Sequence, residues 1–189
     1  MVKEIAEVHP DVAVKVIKGL GSGGALPALM AGKIDLVISG RALKQKEIDA
    51  GLVATPLMKT PFGFFTSRQQ PIDVGSADVW RLYEDPTKPN PLFDNQVVRI
   101  ILRPESDSDR SFAIANFEGM KGAIERAHSV PGIAIAQTDQ QNARMAEQME
   151  NSLTTGTLLQ MVSENRTLRP VRLDGVEPSA ETVKAGAYQ

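Results

Sequence analysis

A glycine-rich segment, GLGSGG, occupies residues 19–24, between an apolar run and a predicted short helix. The N–H groups at a helix N-terminus attract anions, and glycines let a ligand approach the main chain. Ser22 adds a hydroxyl that can contact the ligand or cap the helix. The segment therefore predicts a small-anion site with Ser22, Gly23 and Gly24 as donors. The alternative is a serine cap with turn glycines.

The same glycines match the G-x-G-x-x-G pattern of dinucleotide-binding enzymes, which stays a remote alternative. A Rossmann unit would carry an acidic residue at the end of its second strand, where residues 39–41 read Ser-Gly-Arg. Arg41 could meet an NADP phosphate. A nucleophile elbow is excluded, because G-x-S-x-G needs glycine where Leu20 stands. Because no credible catalytic triad and no recognised metal-ligand spacing is present, we expect no enzyme activity, catalytic residue, metal or cofactor.

A second polar loop, RPESDSDRS, spans residues 103–111. Arg103 and Arg110 flank it, and the planar guanidinium suits oxyanions. Asp107 and Asp109 oppose an anion unless they pair with those arginines or accept a proton from the ligand. The alternative interpretation is a solvated helix cap with local ion pairs.

Bulk composition narrows the class of partner. The chain has 189 residues, 42% hydrophobic and 23% charged, and a formal net charge of −2. This balance favours neither nucleic acid nor an anionic membrane as the main partner. The absence of cysteine excludes disulfides and zinc–thiolate sites.

Apolar patterns predict strands that alternate with helices, which indicates an α/β fold. The predicted strands are residues 12–18, 34–39, two within 52–67, 97–103, 131–137 and 168–175. The predicted helices are residues 25–31, 77–83, 111–127, 142–150 and 155–164, with a helical turn at 45–51.

An ordered series of segments resembles the phosphate-type periplasmic substrate-binding proteins of ABC transporters, which have the type II periplasmic binding fold. The matching stretches are GLGSGGALPALMAGKIDLVISGRAL (19–43), LRPESDSDRSF (102–112), PGIAIA (131–136) and LDGVEPSAETVKAGAYQ (173–189). In that family the second stretch resembles R-E-x-G-S-G-T-R-S-F. The resemblance implies a two-lobed α/β fold with mixed sheets flanked by helices, whose lobes close around a small solute.

The resemblance also divides the chain. Residues 1–67 would form the first lobe, 68–96 an irregular crossover, 97–170 the second lobe, and 171–189 a return toward the first. The family's first strand and its ligand loop would lie upstream of Met1, and a further strand and helix beyond the last residue. We therefore expect an unpaired sheet edge in the first lobe, through which chains could form an oligomer.

Carried over by position, the resemblance implies a ligand site beyond the carboxyl ends of strands. Asp107, Ser108 and Asp109 replace the family's Ser-Gly-Thr donors, and Gly40 stands where some members carry an acidic residue. Asp107 or Asp109 could then accept a proton from the oxyanion, or the ligand could be another small polar molecule. The predicted ligand-binding residues are Ser22, Gly23, Gly24, Ser39, Arg41, Arg103, Asp107, Ser108, Arg110, Thr154 and Thr155.

The function that this resemblance implies is that of a solute-binding protein for a small, phosphate-like oxyanion. Its partner would be the permease of an ABC transporter, and its location periplasmic or extracellular. The alternative is a ligand-sensing domain of the same fold in signalling or regulation.

Overall fold

A computed structural model describes residue 5 and residues 7–17 and 19–188. Its strands are β1 (Phe62–Thr66), β2 (Asp73–Val74), β3 (Pro89–Asn90), β4 (Gln96–Val97), β5 (Arg99–Leu102), β6 (Ala134–Ile135), β7 (Ser152–Thr157), β8 (Arg169–Pro170) and β9 (Arg172–Leu173). Its α-helices include α1 (Gly21–Met30), α2 (Gln45–Asp49), α3 (Ser108–Asn116), α4 (Met120–His128), α5 (Asp139–Gln148), α6 (Leu158–Ser163) and α7 (Ala180–Lys184). Two 3-10 helices span Ser76–Tyr83 and Pro91–Phe93. Within this part of the chain, no helix is long and apolar enough to cross a membrane.

The main sheet contains five strands in the spatial order β6-β5-β7-β1-β8. Strand β5 runs parallel to β6 and β7, whereas β1 is antiparallel to β7 and β8. The register pairs Phe64 with Thr155 and Ile100 with Leu153. The predicted mixed α/β architecture is confirmed. The carboxyl ends of β5, β6 and β7 meet at one edge of the sheet, where the polar loop after β5 begins.

Side chains that alternate along the central strands fill the two faces of this sheet. Phe64 and Ile100 pack with Tyr83 and with α4 on one face. Phe65 and Ile101 pack with α5 and α6 on the other. The strands are thus buried on both sides, which holds the loops at their carboxyl ends in place.

Residues 12–17 and 34–39, both predicted as strands, form no strand and belong to no sheet. No backbone hydrogen bond joins residues 13–17 or 34–39 to other main chain in the described ranges. Their apolar side chains face solvent, with 55% of Val16 and 76% of Leu36 exposed. These predictions were wrong, because alternation indicates a strand but only a hydrogen-bonded neighbour makes one. Residue 18 lies outside the described residues.

The other wrong predictions concern where elements begin and end. Residues 52–67 contain only β1, rather than two strands. The predicted helix 111–127 is divided at Gly119, whose φ is +75° and where a Cβ would lie 2.9 Å from Trp80 Cγ. The predicted helix 155–164 begins instead at Leu158, because pairing with β1 and β5 keeps the preceding residues in β7. Tertiary pairing overrides local propensity there.

The main sheet draws strands from both sides of the predicted lobe boundary. Strand β1 belongs to the predicted first lobe, 1–67, and pairs with β7 of the predicted second lobe, 97–170. In the predicted return segment, β9 pairs with β2 of the predicted crossover. The division into lobes stays a prediction.

Candidate functional site

The glycine-rich segment lies beside the residues that follow the second predicted strand. Helix α1 begins at Gly21, and the hydroxyl of buried Ser22 accepts a hydrogen bond from the N–H of Gly40 at 3.1 Å. Ser39 Oγ lies 3.3 Å from Ser22 Oγ and also donates to the carbonyl of Arg41. The fold therefore brings the predicted donors Ser22 and Ser39 together, although 17 residues separate them.

The same segment contacts two loops at the carboxyl edge of the main sheet. A Cβ on Gly23 would lie 2.8 Å from the carbonyl oxygen of Ser106, closer than side chains normally approach. A Cβ on Gly19 would lie 3.1 Å from Thr138 Cγ2. Gly24 differs, since a Cβ there would lie 3.7 Å from Leu20 Cβ, an ordinary contact. The N-terminal turn of α1 thus meets the predicted second binding loop through the main chain.

Arg41, a predicted ligand residue, already has a carboxylate partner. Its guanidinium donates two hydrogen bonds to Glu47, at 2.8 and 2.7 Å. Glu47 is only 2% exposed and also accepts from the N–H of Lys44. The Arg41 hydrogen bond, followed by the Lys44 N–H, lowers the pKa of Glu47 to about 2. In this arrangement Arg41 positions α2 and its charge is balanced.

Arg103 is 4% exposed and lies between two carboxylates. Its Nη2 donates to Asp107 at 2.7 Å and to Asp139 at 2.6 Å, and Nη1 donates to the carbonyl of Ala136 at 3.1 Å. Asp139, absent from the predicted set, begins α5 just after β6. The predicted strand 131–137 could have indicated this residue. Because parallel strands end at the same edge of a sheet, a residue just after that strand should lie near Arg103, which follows the predicted strand 97–103.

Asp107 has two structural roles. It is the N-cap of α3, where Oδ1 accepts from the N–H of Asp109 at 2.9 Å and of Arg110 at 3.4 Å. Its Oδ2 pairs with Arg103. Both halves of the alternative interpretation, a helix cap and a local ion pair, therefore hold for Asp107. Ser108 follows as the first residue of α3.

Asp109 is the carboxyl group most affected by its surroundings. Burial is the main reason why its pKa rises to about 7, and the negative charges of Asp107 and Asp139 add to the rise. The positive charge of Arg103 opposes it. Burial also raises the pKa of Asp139. Asp109 therefore gains or loses a proton near neutral pH.

This raised pKa gives a pH-dependent stability prediction. A raised pKa in the folded state means that Asp109 contributes most stability while protonated, below about pH 4, and loses it as the pH rises through about 7. Asp109→Asn replaces the carboxyl group with a neutral amide of nearly the same shape. We expect the variant to match the wild type at pH 4 and to be about 2 kcal/mol more stable at pH 8, after allowance for partial exposure. Urea unfolding at both pH values measures this difference; an equal difference at both would contradict it.

Thr154 and Thr155 lie in β7, in the middle of the main sheet. Thr154 is fully buried and its hydroxyl donates to Oδ1 of Asn142. The Asn142 side-chain amide donates to the carbonyl of Thr155 at 2.8 Å. Thr154 is therefore engaged inside the structure, whereas Thr155 lines a small cavity with Arg103 and Arg110. Arg110 has no hydrogen bond or salt bridge from its side chain to the described residues.

The Asn142 contact predicts a large loss of stability on substitution. Asn142→Leu leaves the Thr154 hydroxyl and the Thr155 carbonyl without their buried partner, at a cost of about 2–3 kcal/mol. The free energy of unfolding from urea titration measures it. Arg144→Leu, at an exposed position of the same helix, is the matched control and should change stability by less than about 0.5 kcal/mol. Equal effects of the two variants would refute a role for the buried hydrogen bonds.

The chain is similar to several proteins of known structure. One from Clostridium perfringens, assigned as a phosphate ABC transporter substrate-binding protein and solved with bound phosphate, shares 17% identity, with a TM-score of 0.79, over 100% of this chain and 75% of that one. An ABC-type phosphate transport receptor from Vibrio cholerae shares 11% identity, with a TM-score of 0.61, over 100% and 76%. PstS from Borrelia burgdorferi shares 15% identity, with a TM-score of 0.53, over 99% and 76%.

These likenesses show the fold, and the family follows from the sequence itself. No curated protein sequence matches the chain significantly. The family model described as "PBP superfamily domain" matches residues 1–189, the whole chain. The chain therefore belongs to the PBP superfamily domain family.

Proposed function

We propose that this protein is a solute-binding protein that delivers a small, phosphate-like oxyanion to an ABC transporter. The observation that carries the proposal is the contact of Gly23 with the Ser106 carbonyl, which joins the N-terminus of α1 to the loop before α3. The N-terminus of α1 has no side-chain cap, and such termini bind anions through free N–H groups, whereas Asp107 already caps α3. The similar structures named above supply the ligand class, since one holds phosphate.

The donors that support this proposal are the N-terminal turn of α1 and three hydroxyls. Ser22 and Ser39 lie within 3.3 Å of each other, so one oxyanion can reach both. Ser108 offers a hydroxyl at the start of α3. Arg41 and Arg103 act through positioning, because Glu47 balances the first and Asp107 with Asp139 balances the second.

The carboxylates near Arg103 favour a protonated oxyanion. Asp107, Asp109 and Asp139 surround a single guanidinium, so a fully ionised ligand meets repulsion. An oxyanion that carries a proton can donate it in a hydrogen bond to Asp109. Hydrogen phosphate therefore suits the site better than sulfate, which has no proton to give at neutral pH.

Isothermal titration with phosphate and with sulfate tests this function at pH 7. We expect the wild type to bind phosphate at least about 10-fold more tightly than sulfate, and Asp109→Thr to reduce that ratio. Asp35→Thr, at an exposed carboxylate outside the site, is the matched control and should keep it. If the wild type binds neither ion, the proposal fails; if both variants keep the ratio, Asp109 is not the proton acceptor.

Transport through hinge closure follows from the same proposal. The lobes would close on the solute, and a membrane permease would recognise the closed form. The location would be periplasmic or extracellular.

The alternative function is that of a ligand-sensing domain of the same fold, which needs an output domain. The remote alternative is a dinucleotide-dependent enzyme. In that case NAD or NADP, and not phosphate, should raise the melting temperature of the protein.

We also propose that copies of this chain associate through main chain that has no hydrogen-bonded neighbour. Residues 12–17 and 34–39 are largely apolar and without strand neighbours in the described ranges, and unpaired main chain of this kind can pair with other chains. Light scattering after size exclusion should show an increasing mass as the protein concentration rises. A constant monomer mass would rule this association out.

A further inference from the structure

Hydrophobic burial divides the described chain unevenly near residue 62. Both apolar clusters of the core begin at or after Phe62 and contain no earlier described residue. The N-terminal segment is defined here as residues 7–17 and 19–61, and Leu26 is the only apolar side chain buried among these described residues. Burial of apolar area is the main favourable term in folding. The described N-terminal segment therefore has no apolar core of its own.

Few hydrogen bonds join this segment to the rest of the protein. The N–H of Leu158 donates to the carbonyl of Pro61 at 3.0 Å, and the N–H of Leu159 donates to Thr60 Oγ1 at 3.0 Å. Among the described residues, no hydrogen bond or salt bridge joins residues 7–59 to residues 62–188. A region with few buried contacts and few hydrogen bonds opens at a lower free energy than the core of a protein.

Helix α1 is too weak a helix to hold this segment in place by itself. It spans ten residues, GSGGALPALM, with three glycines and with Pro27 inside the helix. Isolated helices shorter than about 12–15 residues are marginal in water, and glycine and proline are the weakest helix formers. The structure of α1 therefore depends on contacts with the rest of the protein, among them the approach of Gly23 to the Ser106 carbonyl.

We propose that the N-terminal segment opens as a separate unit by local unfolding, while the main sheet stays folded, and that a bound oxyanion holds it closed. The second half rests on the proposed function, in which the ligand lies between α1 and the loop 103–111. A ligand that binds only the closed form raises the ratio of closed to open molecules as its concentration increases. Closure of rigid lobes about a hinge differs, because α1 would keep its hydrogen bonds in the open form.

Hydrogen–deuterium exchange of the full wild-type chain, followed by mass spectrometry, tests separate opening without any ligand. Peptides that cover α1 should exchange at least about 100-fold faster than peptides that cover α4, whose Met120 and Ala123 are fully buried. A rigid hinge motion would protect the hydrogen-bonded amides of both helices. Equal protection of the two helices would overturn the proposal.

The variant Leu26→Ala distinguishes local from global unfolding. It removes the one buried apolar side chain among the described residues of the segment, so exchange should become at least about 10-fold faster in α1 and stay unchanged in α4. Met30→Ala, at a 43% exposed position of the same helix, is the matched control and should change neither. Faster exchange of both helices in Leu26→Ala would show a single cooperative unit and contradict separate opening.

Exchange in the presence of phosphate tests the coupling to the ligand. At about 100 times the dissociation constant from isothermal titration, phosphate should slow the exchange of α1 about 100-fold and leave α4 unchanged. Unchanged exchange of α1 in a protein that binds phosphate would overturn the coupling alone. Absence of binding in the titration would overturn the proposed function and the coupling with it, whereas the phosphate-free comparison of α1 with α4 still decides separate opening.

Discussion

Gly23→Ala is expected to weaken phosphate binding by about 10- to 100-fold, although alanine favours helix more than glycine does. The new Cβ would lie 2.8 Å from the Ser106 carbonyl oxygen, which is main chain and cannot rotate away. Either α1 or the loop before α3 must then move, and overpacking of this kind costs about 1–3 kcal/mol. The movement separates the N-terminus of α1 from the polar loop that would hold the oxyanion with it.

Gly24→Ala is the matched control for this experiment. It adds the same methyl group to the same helix, but its nearest neighbour would be Leu20 Cβ at 3.7 Å. We expect unchanged phosphate affinity and equal or higher stability. Isothermal titration of both variants, with thermal unfolding beside it, separates binding from folding. Equal affinities for the two variants would show that the Gly23 contact is not part of the binding site.

Arg103→Met is expected to lower the free energy of unfolding by about 3 kcal/mol at pH 7. Breaking a buried ion pair from one side typically costs 3–5 kcal/mol, and the half-exposed Asp139 places this case at the low end. Asp107 and Asp139 would then lie close to Asp109 without a cation. The loss should shrink at pH 4, because the raised pKa values of Asp109 and Asp139 make these two carboxyl groups lose their negative charge first.

Urea unfolding at pH 7 and at pH 4 measures this loss. Arg144→Met, at an exposed arginine without an ion-pair partner in the described residues, is the control and should change stability by less than about 0.5 kcal/mol. Combining Arg103→Met with Asp107→Asn should restore part of the loss, since it removes one unpaired charge. A loss that is the same at both pH values would indicate packing rather than charge as its cause.

Local sequence patterns were enough to predict the α/β class and the loops that carry polar groups. The glycine-rich segment lies at the start of α1, although α1 begins at Gly21 and not at the predicted residue 25, and RPESDSDRS contains the turn between β5 and α3. These inferences worked because helix N-termini depend on nearby residues. The resemblance to phosphate-type binding proteins rested on the order of such segments, and the family match over residues 1–189 agrees with it.

No local sequence pattern predicted which residues pair across long distances in the chain. The residues 12–17 have strand-like alternation and no neighbour, while SLTTGT, interpreted as a loop and helix start, is the central strand β7. Asp139 lies 36 residues from Arg103 and shares its guanidinium all the same. Alternation of apolar and polar residues indicates which face of a strand is apolar, but it does not indicate which strand lies beside it.

The residue types of this chain were enough to place arginines, carboxylates and hydroxyls on strand-end loops and to predict an anion among them. Folding assigned each charge its partner: Glu47 for Arg41, Asp107 and Asp139 for Arg103, and no described carboxylate for Arg110. Folding also shifted the pKa of Asp109 to about 7. Electrostatic energies depend on distance and burial, which come from packing in three dimensions and not from the order of residues.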